Sequence, residues 1–441
     1  NLHLGFILDS ILIPIIVFLL VYVAITFELV NKAVATFSGV AILVMLHIVS
    51  EHQAIELIDF ETIMLLFGMM VIVSILKHSG LFSIVSVKIA ELTNGSPVKI
   101  LVLFSIVTAL MSAFLDNVTT VLIIIPIIIE LTRGLGLNPK KYVLSQAIIS
   151  NIGGTATLIG DPPNVIIGSK VGLTFNQFIL NLSPIVIIIF CVSLFYIWIT
   201  NRDQFTSIKG NLVKIFSVQL LLEKIRYEFL NTEINRRIMI KGLVFLGITI
   251  LLFVTQTITG LSPGVVALSM GVFLLLVSRV DIEHVLEEIE WSTLMFFAGL
   301  FILVGVLEEK GVIDWIAHHI FLNVGDNPYV AVLLILWTAG IMSGFLDNIP
   351  FTITMIPIVQ IMLENNPIPN NILWWALALG ACLGGNITMI GASANIVSVG
   401  ISKKYGVNIS FIEFMKTGMI ISFISLTLAS VFLMGYLWIV L

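Results

Sequence analysis

Long apolar segments, separated by short polar ones, make up most of this chain and predict membrane-spanning helices. Most of them approach the roughly 20 residues that a helix needs to cross the hydrocarbon core of a bilayer. Runs of about ten alternating apolar and polar residues, which are typical of membrane β-barrels, are absent from the sequence. The candidate spans are residues 6–29, 33–49, 60–77, 80–94, 141–175, 183–200, 238–258, 263–280, 291–308, 311–324, 371–405 and 417–440.

The second half of the chain repeats the first at an offset of 231 residues. The segment Met111-Ser-Ala-Phe-Leu-Asp-Asn117 recurs as Met342-Ser-Gly-Phe-Leu-Asp-Asn348, with six of seven residues identical. The same offset relates Gly153-Gly154 to Gly384-Gly385, Ile159-Gly160 to Ile390-Gly391, and Asn164 to Asn395. An internal repeat of this length indicates one half-structure used twice.

Each half also contains a longer apolar unit, residues 97–134 and 328–364, with an Asp-Asn pair where its two arms meet. Two interpretations fit this pattern. Either both arms cross the membrane completely, or they form a re-entrant hairpin whose tip lies inside the membrane. We expect the hairpin, because non-helical backbone at membrane depth is tolerated where it lines a site.

The only sizeable polar stretch separates the two halves. Residues 202–241 hold eight of the 21 Lys and Arg residues, which predicts a cytoplasmic location by the positive-inside rule. This linker is either an amphipathic helix at the membrane surface or a solvated connection. With a re-entrant hairpin each repeat has an odd number of complete crossings, so the second copy is inverted, as in secondary transporters. The predicted organisation is an N-terminal helix 1–32, repeat one 33–201, linker 202–237 and repeat two 238–441.

The composition supports an integral membrane protein and excludes several other classes. The chain is 59% hydrophobic and 11% charged, with a mean hydropathy of +1.13, whereas soluble domains carry about 25% charged residues. Cys191 and Cys382 lie in apolar segments and suggest neither a disulfide nor a thiol metal site. No Gly-x-x-x-x-Gly-Lys-Ser/Thr loop occurs, so an ATP-driven pump is unsupported. The mild net charge of −5 indicates no nucleic-acid partner, and no cofactor is expected. The first apolar run is long enough to be a transmembrane helix rather than a cleavable signal.

The two Asp-Asn pairs are the first candidate site. They read Asp116-Asn117-Val-Thr119-Thr120 and Asp347-Asn348-Ile-Pro-Phe-Thr352. A carboxylate inside the membrane is costly and usually faces a cavity or a partner, and the cations nearest in sequence, Lys99 and Arg133, lie at the predicted membrane edge. The acids could cap the second arm of each hairpin. The amide and hydroxyl oxygens beside them are hard ligands that suit Na⁺.

The second candidate site is a glycine-rich break in a long apolar helix of each half. The first copy runs from Asn151 to Asn164 and contains two prolines, which break a helix, whereas the second copy, Gly384 to Asn395, has none. Such a break could serve helix packing, but paired interrupted segments in two halves are also the best sequence indication of a transport site. Asp161 aligns with Ala392 and is therefore an acid unique to the first half. It could tune a cation site, bind a proton or cap the helix that begins at Pro162.

These four motifs, in this order, resemble the P protein (pink-eyed dilution) branch of the ion transporter superfamily. Its relatives are arsenite permeases, sodium/proton antiporters and sodium–dicarboxylate symporters. The resemblance implies about 11 transmembrane helices in two inverted repeats, each with a re-entrant hairpin and a broken helix. It also implies a homodimer in which a transport domain moves as an elevator against a scaffold. The short linker and the lack of a long N-terminal extension indicate a prokaryotic relative, located in the cell's inner or plasma membrane.

The resemblance also implies which residues bind ions. Sodium would lie between Asn117 and the Gly153–Thr157 stretch, and between Asn348 and the Gly384–Thr388 stretch, with substrate between the two hairpin tips. The sodium candidates are Asn117, Gly153, Thr157, Asn348, Gly384 and Thr388. The full predicted set is Asp116, Asn117, Thr119, Thr120, Gly153, Gly154, Thr155, Thr157, Asp161, Asn164, Asp347, Asn348, Thr352, Gly384, Gly385, Asn386, Thr388, Ser393 and Asn395.

We therefore expect a secondary active transporter of a small ion or anion, coupled to Na⁺ or H⁺, of the arsenite/anion permease or Na⁺/H⁺ antiporter type. An anion channel of the same fold is the alternative. An intramembrane aspartic protease is disfavoured, since the signatures that surround such acids do not occur here. Where the dicarboxylate carriers have Ser-Asn-Thr at each tip, this chain has Asp before Asn, and two extra carboxylates repel a multivalent anion.

Overall fold

The computed structural model describes residues 2–27, 29–202, 234–321, 327–365, 368 and 371–441. All regular secondary structure in these ranges is helical. Most of the predicted linker, residues 203–233, lies outside the described residues, so its amphipathic character and its cytoplasmic location remain predictions.

The helices of the two halves correspond to one another at the offset of the sequence repeat. The first half contains α1 Leu2–Thr26, α2 Lys32–Met45, α3 Glu51–Glu56, α4 Phe60–His78, α5 Leu81–Thr93, α6 Pro97–Phe114, α7 Asn117–Gly134, α8 Pro139–Gly154, α9 Pro162–Val171 and α10 Phe175–Thr200. The second half contains α11 Arg236–Val254, α12 Gln256–Thr259, α13 Pro263–Ser278, α14 Ile282–Glu288, α15 Trp291–Glu309, α16 Val312–Ile316, a π-helical turn Ala317–Phe321, α17 Pro328–Phe345, α18 Asn348–Asn365, α19 Ile372–Gly384, α20 Ser393–Lys404 and α21 Phe411–Val440.

Eight of the described helices are long and apolar enough to cross a membrane, and four shorter ones are apolar. The prediction of an all-α polytopic membrane protein is thus confirmed. Two of the candidate spans were wrong. Residues 80–94 form the 13-residue helix α5, which at 1.5 Å per residue covers about 20 Å of the roughly 30 Å needed. Within residues 311–324, only the five-residue α16 and one π-helical turn are described.

The helices pack into two groups. We call α1, α2, α4, α11, α13 and α15 the scaffold group, because α4 packs on α13 and α11, while α15 packs on α2 and α1. Helices α6 to α10 and α17 to α21 form the hairpin group, in which α6 packs on α8 and α17 on α19. Each of these contacts has a counterpart at the repeat offset. Helix α1 packs on α2 and α15 as α11 packs on α13 and α4, so α1 is the counterpart of α11.

The α6–α7 hairpin has its base on the face of the molecule from which the linker starts. The hydroxyl of Tyr142, near the start of α8, donates to the carbonyl of Pro97 at the start of α6. Lys140 pairs with Glu413 at the start of α21, 3.2 Å away. Short α5 connects this base to the end of α4, where Gly80 approaches Ile234 directly after the linker. We call this side of the molecule the linker face.

The α17–α18 hairpin has its base on the opposite face. Gln360, late in α18, lines one groove together with Lys170 near the end of α9 and Glu308 near the end of α15. The two hairpins start from opposite faces and their tips meet, as described below, which is the arrangement that the predicted re-entrant hairpins and inverted repeats would give. A fully crossing arm would place each tip at a surface, where the two tips could not meet.

Candidate functional site

The tips of the two hairpins meet around one buried cavity. Asn117 and Asn348, the first helical residues after each tip, are 3% and 2% exposed. Both side chains face Asp161 at the start of α9. The cavity has a volume of about 70 Å³ and is partly open to solvent. Its polar lining consists of Asp116, Asn117, Asp161, Glu290, Thr293, Asn348 and Ser393.

Five of the predicted residues therefore reach the cavity, and the others do not line it. Those that line it are Asp116, Asn117, Asp161, Asn348 and Ser393. Those outside its lining are Thr119, Thr120, Gly153, Gly154, Thr155, Thr157, Asn164, Asp347, Thr352, Gly384, Gly385, Asn386, Thr388 and Asn395. The hydroxyls of Thr120 and Thr352 donate to carbonyls one turn earlier in their own helices.

One asparagine in each half holds the broken helix in its unwound form. The amide nitrogen of Asn164 donates to the carbonyls of Thr155 and Thr157, 3.1 and 2.8 Å away. Asn395 makes similar bonds in the second half, to the carbonyls of Gly385 and Thr388 at 2.9 and 3.0 Å, and the second of these is at the repeat offset. These bonds satisfy carbonyls that the interruption deprives of helical partners. Asn164 and Asn395 therefore stabilise the backbone of the broken helices without lining the cavity.

Each broken helix is tied to the first arm of the hairpin in its own half. The hydroxyl of Thr157 donates to the carbonyl of Ala113, and that of Thr388 donates to the carbonyl of Gly344 at 2.6 Å. A second tie runs from the Ser112 hydroxyl to the Ser150 carbonyl, and its counterpart from Ser343 to Ala381. Because these bonds are buried and recur at the repeat offset, hairpin and broken helix form one unit in each half.

A chain of side-chain amides joins the two halves. Asn117 Nδ2 donates to Asn151 Oδ1 and to Asp161 Oδ1, both at 3.1 Å. Asn151 Nδ2 in turn donates to Asn386 Oδ1 at 2.8 Å and to Asn395 Oδ1 at 2.9 Å. Since its Nδ2 is engaged twice, Asn117 retains Oδ1 as an acceptor for a ligand. Asn151 begins the glycine-rich motif but was not among the predicted binding residues, because an amide in a helix carries no signal of what it faces.

Asp161 is buried, and one of its oxygens has no hydrogen bond. The side chain is fully shielded from solvent, and Oδ2 makes no hydrogen bond of ordinary geometry. Asp161 occupies the N-cap position of α9, but its side chain caps no backbone N–H. The capping interpretation is therefore wrong for this residue, and a role in binding a cation or a proton remains.

The two tip acids, by contrast, do cap their helices. Asp116 Oδ1 accepts a hydrogen bond from the backbone N–H of Thr119 at 2.7 Å, and Asp347 Oδ1 accepts one from that of Ile349 at 3.1 Å. A carboxylate at a helix N-terminus is stabilised by these N–H groups and by the helix dipole. Capping leaves further lone pairs on each carboxylate available.

Two charged residues of the scaffold group reach the site and were missed from the sequence. Lys32 forms an ion pair with Asp347, so a cation 315 positions away in the sequence supplies the partner that no neighbouring cation could. Glu290 lies within electrostatic reach of Asp116 and lines the cavity. Glu290 aligns with another acid, Asp59, at the repeat offset, which is a weak sequence indication of a functional acid. Lys32 aligns with Pro263, so the repeat gives no indication that the lysine is functional.

The cavity opens towards the linker face. A groove lined by Asn31, Lys32, Ser292 and Phe296 shares Glu290 and other lining residues with the cavity. On the opposite face, the groove near Lys170 and Gln360 has no lining residue in common with the cavity. Among the residues the structure describes, the groove on the linker face is thus continuous with the site, whereas the groove near Lys170 and Gln360 is not.

Gly153 and Gly384 lie where each broken helix approaches the first arm of its hairpin. A Cβ added to Gly384 would lie 2.1 Å from the carbonyl oxygen of Gly340, and one added to Gly153 would lie 2.5 Å from Ala109 Cα. Neither backbone can move away easily, since the hydrogen bonds described above hold both. Close packing accounts for glycine at these two positions, and their proposed share in a sodium site remains a prediction.

We expect Gly384→Ala to destabilise the protein by roughly 1–3 kcal/mol, because overpacking forces a buried backbone to shift. The thermal unfolding midpoint in detergent measures this. Gly400→Ala, in the following helix segment, is the matched control, since a Cβ there meets nothing within 4 Å. Equal midpoints for the two variants would contradict the packing explanation.

The oxygens at the tips are those that hard cations bind, namely carboxylate, amide and hydroxyl oxygens. Within the described ranges, no group of three or more His, Cys, Asp or Glu side chains could hold a metal ion. The donor set thus fits an alkali cation or a proton better than a tightly held transition metal.

Comparisons with known proteins place this arrangement among membrane transporters. The model of the citrate transporter family, CitMHS, matches residues 22–380. The chain is 38% identical over 432 residues to a 46 kDa membrane protein of Mycobacterium leprae (strain TN), covering 97% of this chain and 98% of that protein. It is equally similar, at 38% over 432 residues, to an uncharacterized transporter of Mycobacterium tuberculosis (strain ATCC 25618 / H37Rv), with 97% of each chain covered. It is 34% identical over 474 residues to the P protein of Sus scrofa, covering 90% of this chain and 56% of that protein.

Proposed function

We propose that this chain, which belongs to the citrate transporter family of membrane transporters, carries a small ion across the membrane by alternating access. The family and the relatives are transporters, so the protein is not an enzyme, and the predicted resemblance to the P protein branch is confirmed. One observation carries the proposal. Two hairpin tips and two broken helices surround a single cavity that is reached from one face.

One-sided access favours a carrier over the channel alternative. A channel needs a continuous path through the membrane, whereas the described residues leave the cavity separate from the groove on the opposite face. The inverted repeats supply a second conformation, since exchanging the conformations of the two halves would open the same site to the other side. The linker-face opening then corresponds to the inward-facing state, given the cytoplasmic linker that the charge distribution predicts.

The charges around the cavity favour coupling to a cation. Asp116, Asp161 and Glu290 line it, while the nearby Lys32 is paired with Asp347. A multivalent anion such as citrate would be repelled by these acids unless cations or protons entered with it. We therefore propose coupling to Na⁺ or H⁺, with the coupling ion bound at the carboxylate and amide oxygens of the two tips. Asn117 would act with the Gly153–Thr157 stretch, and Asn348 with the Gly384–Thr388 stretch.

The division into two helix groups supports an elevator movement. The hairpin group holds both tips and both broken helices as hydrogen-bonded units, so we propose that it moves as one body against the scaffold group. We also propose a homodimer formed through the scaffold and a location in the bacterial plasma membrane. The mycobacterial relatives support this location.

Uptake into proteoliposomes tests the proposal. We expect labelled citrate or a smaller anion to accumulate when a Na⁺ gradient or an inward proton gradient is imposed, with saturable kinetics and no uptake without either gradient. Planar-bilayer recordings of the same preparation should show no unitary currents. Discrete single-channel openings would instead establish the channel alternative.

A further inference from the structure

One lysine of the scaffold group extends to the second hairpin tip. Lys32 is the first residue of α2, which packs mainly on α1 and α15. Its ammonium group forms an ion pair with Asp347 and donates a hydrogen bond to Ser393 Oγ, 3.3 Å away at the start of α20. The ring of Phe296 lies 5.9 Å from the same nitrogen. Lys32 therefore links the two helix groups through an acid of the hairpin group.

The groups around this ammonium are those that recognise a small monovalent cation. The carboxylate of Asp347 supplies the counter-charge, the hydroxyl of Ser393 supplies a neutral oxygen, and the face of Phe296 attracts a cation through its ring quadrupole. The Asp347 side chain is 3% exposed and that of Lys32 is 27% exposed. Since Lys32, Ser393 and Phe296 line the groove on the linker face, the lysine lies between the buried acid and solvent.

This charge compensation applies to one tip only. The residue that corresponds to Lys32 in the second half is Pro263, which has no charge to offer. At the first tip, Asp116 has Glu290 within electrostatic reach instead. The two repeats are therefore alike in backbone and hydrogen bonds, but the charge beside the tip carboxylate is positive in the second repeat and negative in the first.

We propose that Asp347, Ser393 and Phe296 form a monovalent-cation site that the protein's own Lys32 fills in this structure. A free cation enters when Lys32 withdraws, and Lys32 returns when that cation leaves. Because Lys32 and Asp347 belong to different helix groups, occupation of the site is linked to the relative position of the two groups. The role in transport rests on the proposed function, whereas binding of a cation at Asp347 can be measured without transport.

The experiment uses Lys32→Ala in the full chain, followed by thermal unfolding in detergent. The probes are NaCl and methylammonium chloride, with choline chloride holding the ionic strength constant. In choline, the variant should unfold at least about 5 °C below the parent, since removing the lysine leaves the buried carboxylate of Asp347 uncompensated. We expect Na⁺ or methylammonium to restore at least half of that loss, saturably. The double variant Lys32→Ala/Asp347→Asn should show no such response.

The matched control is Lys140→Ala, which breaks the more exposed ion pair with Glu413 and should respond alike to all three salts. Lys32→Met, which keeps the apolar stem, is measured in parallel in case the alanine variant does not fold. Equal midpoints in choline and in both probes, for whichever variant folds, would overturn the proposal, as would a response that persists without Asp347. A cation response in a protein that shows no gradient-driven uptake would contradict the proposed function alone.

Discussion

Asn117→Ala is expected to abolish gradient-driven uptake while the protein still folds. The Asn117 amide bridges Asn151 and Asp161 and leaves its oxygen free for a ligand in the cavity. Truncation removes this oxygen and both hydrogen bonds, and misplaced or missing ligands cost about 100-fold in activity or ion affinity. The folding cost should be smaller, about 1–3 kcal/mol for the partners left unpaired. Uptake rate in proteoliposomes and the unfolding midpoint in detergent measure the two effects.

The control for this variant is Asn181→Ala. Asn181 is a partly buried asparagine of α10 whose amide bonds only to its own helix, so its loss should leave uptake unchanged. Asn348→Ala, at the other tip, should fail as Asn117→Ala does. Normal uptake by both tip variants would refute the assignment of these amides to the ion site.

Asp161→Asn should separate stability from function. Asparagine has nearly the same shape and can still accept the hydrogen bond from Asn117, but it carries no charge. A buried carboxylate oxygen without a hydrogen bond is unfavourable, so its neutralisation should raise the unfolding midpoint, by about 1–3 kcal/mol in free energy. Uptake should fall at least about tenfold and lose its dependence on the driving Na⁺ or H⁺ gradient.

The comparison for this variant is Asp281→Asn, at the exposed start of α14. There the side chain accepts a hydrogen bond from the Glu283 N–H, a role that asparagine can also fill, so neither stability nor uptake should change. Uptake by Asp161→Asn that retains the parent's rate and ion dependence would show that this acid has no part in coupling. A lower midpoint would show that its charge stabilises the fold.

Much of the architecture was predictable because it is local. Apolar length predicts a span, and the 231-residue offset predicts that each contact within one half recurs in the other, as the ties from Thr157 and Thr388 do. An Asp-Asn pair placed between two apolar arms predicted a helical hairpin in each half, and the structure has both, α6–α7 and α17–α18. The short helices at residues 80–94 and 311–324 were mistaken for spans, because apolar composition does not record where a helix ends.

The candidate site was predictable only in part. Asp116, Asn117, Asp161, Asn348 and Ser393 line the cavity, and their role in binding an ion or substrate stays a prediction. Close packing accounts for glycine at positions 153 and 384, and the predicted share of Gly153 and Gly384 in a sodium site is untested. A motif identifies a break in a helix, but not which atom at the break faces the ligand.

By itself the sequence determined that this chain is a helical membrane protein with a duplicated core, since hydropathy and repetition are properties of the residues alone. The tertiary structure decided which charges and amides meet. Lys32 and Asp347 are 315 positions apart and have no counterpart pair in the repeat. Asn151 likewise finds Asn386 and Asn395 only when the halves interlock. Such partners are chosen by packing, because a buried polar group is stabilised by whichever complementary group the fold brings within reach.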